Sequence, residues 1–288
     1  MAIRQTWGHY AARRDIGIAF VLGRGLNKTQ NKAISWENYL YGDLIRGNYI
    51  DTYYNLTLKT MSILEWANQH CYRAKYLLKT DDDVFINVPK LFHFVEEQLQ
   101  GNVKRTIFGR LAKRWPPVRN KKSKYFVSYK QYRGVYPTFV TGPAYLMTID
   151  IVHALYVRAL TTIYLNLEDV FITGIVAESL GIKRVQIGEF VNRRIKLTPQ
   201  NIHKSISIHM ISWSEQFETV YLKLEDVFTT GIVAQSLGIE RLHVNEFVNR
   251  RISFNPCNIR NAISVHMIKS NEQFDLWKKL LDQTTKCK

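Results

Sequence analysis

Residues 76–87 read Tyr-Leu-Leu-Lys-Thr-Asp-Asp-Asp-Val-Phe-Ile-Asn, with three consecutive aspartates between two apolar segments. The first segment, Tyr76–Leu78, predicts a buried strand, and Asp81, Asp82 and Asp83 follow it. Carboxylates beside buried segments repel one another and are costly to desolvate unless a cation or hydrogen bonds compensate them. Open α/β sheets bind ligands just beyond the carboxyl ends of their strands. The cluster therefore predicts a site for Mg²⁺ or Mn²⁺, often shared with a phosphate, and a solvated acidic turn is the alternative.

Composition indicates a folded protein with an anionic partner. The chain has 288 residues, 46% of them hydrophobic, and a net charge of +16. Between Gly101 and Ile149 there is no Asp or Glu, and the Lys and Arg of this region predict a basic loop. Charge alone would allow a nucleic acid, but no nucleic-acid-binding motif accompanies it, so we expect none as partner. No run of about 18 apolar residues encodes a transmembrane helix.

The first part of the chain alternates strand and helix patterns. A strand is predicted at Ile16–Leu22 and another at Tyr76–Leu78. Helices are predicted at Glu37–Ile45, at Thr57–His70 and, after a proline in the first turn, at Lys90–Leu99. This alternation predicts an α/β domain.

The second part is richer in strand patterns, which makes the predicted sheet a mixed one. Its expected elements follow the chain in order: a strand at Ile107–Gly109, a basic loop at Arg110–Lys124, a β-rich aromatic segment at Tyr125–Tyr136, a strand–turn–strand at Thr138–Thr148, and a helix from an Asp150 N-cap to Ala159.

An internal repeat occupies the last third. Tyr164–Glu218 matches Tyr221–Asp275 at a constant offset (225 − 168 = 57), with most aligned positions identical. Two copies are too few for a solenoid, so we interpret the repeat as a duplication in which one copy is surplus to the fold.

Five motifs, in order along essentially the whole chain, resemble those of one family. They are Ala2-Ile-Arg-Gln-Thr-Trp-Gly8, Asp43-Leu-Ile with Asp51-Thr-Tyr-Tyr-Asn-Leu-Thr-Leu-Lys59, Lys79–Asn87, Tyr136-Pro with Gly142, and Glu168-Asp-Val170 with Gly174. Each motif is short, and their order and spacing make the resemblance specific. The family is that of the β-1,3-glycosyltransferases that use UDP-sugars, the β-1,3-galactosyltransferase and N-acetylglucosaminyltransferase group.

The resemblance implies an α/β fold of the GT-A type, a mixed sheet flanked by helices. Residues 1–220 would form the catalytic domain, without the family's amino-terminal strand, and residues 221–288 would be the tandem duplicate of 164–218 plus a closing helix. It also implies inverting, Mn²⁺-dependent transfer of galactose or N-acetylglucosamine from UDP-galactose or UDP-N-acetylglucosamine. The acceptor would be the 3-hydroxyl of a glycan on a glycoprotein or glycolipid. Family members act at the lumenal side of the Golgi membrane and carry a membrane anchor, which we expect to be absent from this chain.

The resemblance also assigns roles. The catalytic base is Asp169 or its copy Asp226, and the metal ligands are Asp81 and Asp83 with His209 or His266. The residues expected to bind the nucleotide-sugar are Arg4, Lys79, Asp81, Asp82, Gly142 and Glu168.

The residues themselves leave alternatives open. A Glu-Asp pair before an apolar run also fits a helix start, and a His between apolar neighbours fits a core position. From Gly142 the first copy's Glu168 is 26 residues away (168 − 142) and Glu225 is 83 (225 − 142). The shorter distance is similar to the family's spacing, so the resemblance favours Asp169 as the base. Gly142-Pro-Ala-Tyr145 departs from the family's Gly-x-Gly-Tyr, and a catalytically inactive relative that binds UDP-sugar is the alternative function.

Overall fold

The computed structural model describes residues 2–98, 103–212 and 214–216, together with the short pieces 247–248, 253, 255, 257–258 and 264–265. The chain divides into two units, residues 1–224 and residues 225–288. No helix in the described part of the chain is both long and apolar enough to cross a membrane.

Helices and strands alternate through the first unit. The α-helices are α1 Ala2–Gln5, α2 Lys28–Tyr41, α3 Leu56–His70, α4 Val88–His93, α5 Val152–Thr161, α6 Ala177–Ser179 and α7 Pro199–Lys204. The strands are β1 Phe20–Arg24, β2 Leu44–Ile50, β3 Tyr76–Thr80, β4 Val84–Ile86, β5 Thr106–Ala112, β6 Phe139–Thr148, β7 Lys183–Gln186, β8 Phe190–Val191 and β9 Ser207–His209. Single 3₁₀ segments are Trp7–Ala12, Tyr53–Asn55 and Ile149–Ile151, and π-helical segments are Phe94–Gln98 and Val170–Val176.

The predicted mixed α/β architecture is confirmed. The central sheet has the order β3-β6-β5-β7, in which β6 is antiparallel to β3 and to β5, whereas β7 is parallel to β5. Strands β4, β9 and β8 form a smaller mixed sheet, and β1 pairs with β2 in parallel. The carboxyl ends of β3, β5 and β7 consequently lie at one edge of the central sheet, together with the amino end of β6.

The central sheet separates two hydrophobic clusters, because successive strand residues point to opposite faces. Ile107 and Met147 belong to the cluster that includes α3 and α5. Their neighbours Phe108 and Leu146 belong to the cluster that includes β4, β9 and Trp7. With both faces covered, the polar groups that remain accessible at the sheet lie along its edges.

The predicted range of helix α3 is confirmed almost to the residue, but the boundaries predicted for the helix at Glu37–Ile45 are wrong. The observed helix α2 begins after the Asn27 cap, whose side chain accepts a hydrogen bond from Gln30 N, and it ends at Gly42 in the left-handed region (φ 65°). Leu44 already starts β2. Asn before the helix and Gly after it are the cap signals that set these boundaries.

Two further predictions in the first half need correction of their boundaries. The strand predicted at Ile16–Leu22 begins only at Phe20, and most of its residues are half-buried. Among the described strands, β2 pairs with it. The helix predicted at Lys90–Leu99 begins at Val88, with Pro89 in its first turn, and continues as the π-helical segment. Leu99 lies outside the described residues.

The second half departs from prediction in three places. Thr138–Thr148 is not two strands around a turn, because β6 runs unbroken through Gly142 and Pro143. Asp150 does not cap α5, since its carboxylate instead accepts a hydrogen bond from Arg105 N at 3.0 Å. The β-rich segment Tyr125–Tyr136 forms a loop whose described β pairing is the isolated bridge between Val118 and Phe126.

In the second unit, β10 Phe247–Val248 pairs in parallel with β11 Ser264–Val265, Phe247 lying opposite Ser264. In the first unit Phe190 lies opposite Ser207 in the same way (247 − 190 = 57; 264 − 207 = 57). Cys257 is disulfide-bonded, whereas Cys71 in the first unit is a free thiol.

Candidate active site

Two of the aspartates and a histidine come together beyond the carboxyl end of β3. Asp81 follows β3, and Asp83 directly precedes β4. His209 ends β9 opposite Val84, so the pairing of β4 with β9 carries the imidazole to Asp83, with 3.3 Å between Asp83 Oδ2 and His209 Nε2. One ligand atom from each of Asp81, Asp83 and His209 lies within 4.8 Å of the others. The structure thus brings His209 to the two aspartates, and the choice between His209 and His266 as metal ligand stays a prediction, since His266 lies outside the described residues.

This group has the donor chemistry of a divalent-cation site. Two carboxylates and one imidazole suit Mn²⁺ and related ions. The hydrogen bond from His209 is the main cause that lowers the pKa of Asp83, so that its carboxylate is ionised at neutral pH. Asp83 is exposed and His209 half-buried, which leaves the group accessible from solvent.

A buried ion network lies next to this group. Lys79 is 8% exposed, and its Nζ lies 2.5 Å from Asp81 Oδ1, 3.0 Å from Glu168 Oε1 and 2.9 Å from the carbonyl oxygen of Gly142. An ammonium has three N–H bonds, and Lys79 uses all of them within the protein. Lys79 therefore holds Asp81, Glu168 and β6 together.

Glu168 is the buried counter-ion of Lys79. It is 6% exposed, and its Oε2 accepts hydrogen bonds from Thr60 Oγ1 at 3.1 Å and from Tyr145 OH at 3.2 Å. Burial raises the pKa of Glu168 to about 7 against the opposing charge of Lys79. Burial alone would lower the pKa of Lys79, but the charges of Glu168 and Asp81 outweigh it and raise that pKa. The lysine therefore stays charged throughout the physiological range.

Asp169 is held by backbone groups at the start of the π-helical segment. Its Oδ2 accepts a hydrogen bond from Gly142 N at 2.9 Å, and its Oδ1 accepts one from Val170 N at 2.8 Å. Burial raises the pKa of Asp169, and the two N–H groups act in the opposite direction. The result is a half-buried carboxylate with a fixed orientation.

An irregularity in β6 connects these residues. The pairing of β5 with β6 shifts between Gly109↔Tyr145 and Leu111↔Val140, so residues 141–144 of β6 leave the ladder with β5. Their carbonyl groups bind elsewhere: Gly142 O accepts from Lys79 Nζ, and Pro143 O accepts from Asp81 N at 2.9 Å. The bulge thus ties β6 to both the ion network and the acidic cluster.

Arg4 is not brought together with the acidic cluster. Its Nε and Nη2 donate to the two oxygens of Asp43 at 2.7 and 2.8 Å, and its Nη1 donates to Glu37 at 2.8 Å. The guanidinium lies over the rings of Phe20 and Tyr41, at 4.5 and 4.2 Å from their centroids. In the structure Arg4 fastens the amino-terminal helix to α2 and β2.

The remaining predicted residues have different outcomes. The side chain of Asp82 is exposed, and its carbonyl accepts a hydrogen bond from Gln216 Nε2 at 3.1 Å. Gly142 lies within the site, since an added Cβ would stand 2.9 Å from Glu168 Oε1. Asp226 and His266 lie outside the described residues.

Sequence reasoning missed Thr60 and Tyr145, which both bind Glu168. Thr60 occupies the buried stripe of α3 together with Leu64 and Ala67, at helical spacings of four and seven residues. A polar residue on an apolar stripe needs a buried partner, and this signal was available in the sequence. Tyr145 is the last residue of Gly142-Pro-Ala-Tyr145, but nothing in that segment indicates that its hydroxyl binds Glu168.

The fold and the site define an α/β protein with an Asp-Asp-His group and a buried lysine–carboxylate network at the edge of its central sheet. A family model described as galactosyltransferase matches residues 1–188. The chain belongs to the galactosyltransferase family.

Three characterised relatives are similar over most of the chain. Human lactosylceramide 1,3-N-acetyl-beta-D-glucosaminyltransferase is 35% identical over 190 residues, which are 62% of this chain and 50% of that protein. Mouse beta-1,3-galactosyltransferase 1 is 32% identical over 219 residues, 74% of this chain and 66% of that protein. Human beta-1,3-galactosyltransferase 5 is 36% identical over 186 residues, 64% of this chain and 59% of that protein. The chain spans between half and two thirds of the length of these relatives.

Among solved structures, a glycosyltransferase involved in the glycosylation of the major capsid of PBCV-1 superimposes with a TM-score of 0.37 and 13% identity. The superposition covers 70% of this chain and 97% of that one. Similarity at this level supports no inference about the site.

Proposed function

We propose that this chain is a metal-dependent β-1,3-hexosyltransferase of GT-A type. It transfers galactose or N-acetylglucosamine from a UDP-sugar to the 3-hydroxyl of an acceptor glycan, with inversion. The observation that carries the proposal is the placement of Asp169, whose carboxylate Gly142 N holds at 2.9 Å, while the carbonyl of the same Gly142 binds the lysine that pairs with Asp81. One glycine thus links the base to the cation site.

Asp81, Asp83 and His209 would hold the divalent ion, for which Mn²⁺ is our choice. When bound, the ion supplies Lewis-acid stabilisation for the diphosphate leaving group. Lys79 keeps Asp81 oriented and compensates its charge through the 2.5 Å ion pair. Asp82 and the backbone of Gly142 are our candidates for contacts with the donor. Arg4 supports this side of the domain through Asp43 and Glu37.

Asp169 would act as the general base. Inversion by a single displacement needs one group to take the proton from the acceptor hydroxyl as that oxygen attacks the anomeric carbon. The two backbone N–H bonds to Asp169 keep its carboxylate ionised and aimed in one direction. The raised pKa makes it a stronger base than an ordinary aspartate. Glu168 positions Lys79 and does not itself receive the proton.

We place this activity at the lumenal side of the Golgi membrane, by resemblance to the family, with glycoprotein or glycolipid glycans as acceptors. A relative's name includes lactosylceramide, which is a glycolipid. Nucleic acid has no role in this proposal.

The test is release of UDP from UDP-galactose and UDP-N-acetylglucosamine with Mn²⁺ and a panel of acceptors ending in galactose, N-acetylgalactosamine or N-acetylglucosamine. Turnover should disappear with EDTA and return with added Mn²⁺. Asp83→Asn should lower it about 100-fold or more, because a ligand charge is lost. Asp15→Asn is the matched control, since Asp15 is an exposed aspartate paired with Arg13.

Stabilisation by UDP and Mn²⁺ without turnover for any donor–acceptor pair would favour the inactive relative. The absence of both would contradict the proposal as a whole.

A further inference from the structure

A cleft of about 510 Å³ opens at the carboxyl ends of β5 and β7. It continues into a second cavity of about 400 Å³ with which it shares Arg110, Leu111, Gln186 and Arg193. The polar and aromatic side chains that line the larger cavity include Arg110, Lys113, Trp115, Thr141, Asn192 and Arg193. Among the described residues, no Asp or Glu lines either cavity.

The cations of this cleft lack anionic partners. Arg110, Lys113 and Arg193 form no ion pair or side-chain hydrogen bond with any residue in the described part of the chain. Nearby arginines differ in this respect, since Arg194 pairs with Glu215 and Arg184 pairs with Glu178. Three uncompensated cations around one concave surface attract an anion from solvent.

Trp115 gives the cleft an aromatic wall. Its side chain is 56% exposed, although its ring packs edge-on against Phe139 with 5.7 Å between the ring centroids. This packing fixes the ring and leaves part of its surface free. Ligand sites commonly combine such an apolar aromatic surface with a few polar groups that fix the ligand's orientation.

The cleft lies at the same edge of the central sheet as the metal-binding group. Asp81 follows the carboxyl end of β3, and Arg110 lies near the carboxyl end of β5. Only β6 separates these two strands, so they are roughly 10 Å apart. Thr141 of β6 lines the cleft, and the next residue, Gly142, donates to Asp169. Asn192 fixes this part of β6 by donating to the carbonyl of Thr141 at 3.1 Å.

The geometry points to this cleft as the acceptor subsite, and to an acceptor saccharide that carries an anionic group, a carboxylate, sulfate or phosphate. Arg110, Lys113 and Arg193 bind the anionic group, since guanidinium and ammonium groups form strong charge-assisted hydrogen bonds to oxyanions. Trp115 packs against a sugar ring. A neutral saccharide would leave the three cations uncompensated. The inference rests on the proposed function in one respect, namely that the bound saccharide is the acceptor of the transferred sugar. Binding of an anionic saccharide in the cleft does not itself require turnover.

The experiment measures binding directly, by calorimetric titration of a sulfated disaccharide and of the neutral disaccharide of the same backbone. The sulfated ligand should bind at least about tenfold more tightly at low salt, and the preference should shrink as salt is added. Arg193→Gln and Arg110→Gln should each remove most of this preference. Trp115→Ala should weaken both ligands alike. Lys121→Gln and Lys130→Gln are matched controls, because both lysines are exposed, belong to the same basic region and do not line the cleft.

Kinetics supply the second readout. In Arg193→Gln the KM for the sulfated acceptor should rise about tenfold more than the KM for the neutral acceptor, and Lys121→Gln should change neither constant. Equal binding of the two disaccharides, or undiminished preference in both arginine variants, would overturn the inference. The inference would also be overturned if a single-stranded oligonucleotide, added at the same concentration of negative charges, displaced the sulfated disaccharide.

The failures of the two proposals are distinguishable. If sugar is transferred without any preference for the anionic acceptor, the inference fails and the proposed function stands. If charge-selective binding is present while no donor and acceptor pair turns over, the proposed function fails and the cleft remains an anionic-saccharide site.

Discussion

The surroundings of the buried Glu168 act on the pKa of its carboxylate in opposite directions. Its Oε1 lies 3.0 Å from the ammonium of Lys79, and its Oε2 accepts two neutral hydrogen bonds. The ammonium favours the ionised carboxylate. Burial and the neighbouring charges of Asp169 and Asp81 favour the protonated acid, and they raise its pKa to about 7.

This raised pKa predicts a pH-dependent stability. Below the ordinary glutamate pKa of about 4.5, Glu168 is protonated in both the folded and the unfolded chain. As the pH rises from there to about 7, the unfolded chain loses this proton first, so folding becomes less favourable. Relative to Glu168→Gln, the free energy of unfolding of the native chain should therefore decline by about 1–3 kcal/mol across this window. Urea unfolding at a series of pH values measures it.

Glu96→Gln is the control for this series, because Glu96 is exposed and lies in the π-helical segment Phe94–Gln98, away from the buried network. The same urea series on this variant shows what the loss of a surface glutamate alone does. At each pH, the free energy of unfolding of Glu168→Gln is subtracted from that of the native chain. If this difference does not change with pH, or if it increases as the pH rises, the raised pKa of Glu168 is contradicted.

At the scale of elements, strand β6 positions the site through its bulge. A proline inside a central strand would normally remove a ladder hydrogen bond. Pro143 avoids this cost because residues 141–144 have left the ladder with β5, while Pro143 still accepts through its carbonyl from Asp81 N. The same departure brings Gly142 against the side chains of Glu168 and Asp169.

Gly142→Ala should therefore damage the site from within the strand. The added Cβ would stand 2.9 Å from Glu168 Oε1, so this carboxylate must shift, whereas Asp169 Cβ at 3.4 Å would be in ordinary contact. We expect a loss of about 1–3 kcal/mol in the free energy of unfolding. We also expect a roughly tenfold fall in kcat, because Glu168 holds Lys79, which pairs with Asp81. Thermal unfolding and initial rates of UDP release measure the two effects.

Gly134→Ala is the matched control for this substitution. Its added Cβ would meet only Tyr132 Cε1, at 3.8 Å, which is ordinary contact. Both variants should fold, and only Gly142→Ala should lose activity. Equal behaviour of the two would mean that the close packing around Gly142 is not needed for catalysis.

The same elements show what sequence can and cannot predict. Helix α3 was predicted well because its apolar spacing is regular and no cap residue interrupts it. The sequence predicted two strands in place of β6, because Gly-Pro is locally a turn signal. The shift in register between β5 and β6 makes Gly142-Pro143 compatible with one strand, and this shift is a tertiary feature. Sequence identified the chemistry of the acidic cluster, and the structure joined His209 to Asp81 and Asp83 through the β4–β9 pairing. Lys113, Trp115 and Arg193 had no motif, since the cleft arises from segments distant in sequence.

For the whole molecule, the sequence repeat raises the question of which copy supplies the base. The pairing of Phe247 with Ser264 has the same register as that of Phe190 with Ser207. This local pairing therefore does not distinguish the copies. Gly142 N binds the carboxylate of Asp169 across 27 residues of sequence, and Asp226 lies outside the described residues, so the assignment of the base to Asp169 stays a prediction.

Asp169→Asn and Asp226→Asn form the decisive pair, since both are the aspartate of a Leu-Glu-Asp-Val-Phe segment. Asp169→Asn should lower transfer about 10²–10⁴-fold, because the proton acceptor is lost; the amide has one oxygen and keeps one of the two backbone N–H bonds. Stabilisation by UDP and Mn²⁺ should persist in this variant, since the metal-binding group is untouched. Asp226→Asn should change neither quantity by more than about twofold if the first copy carries the base. The reverse result would assign catalysis to the second copy and leave Asp169 with a structural role.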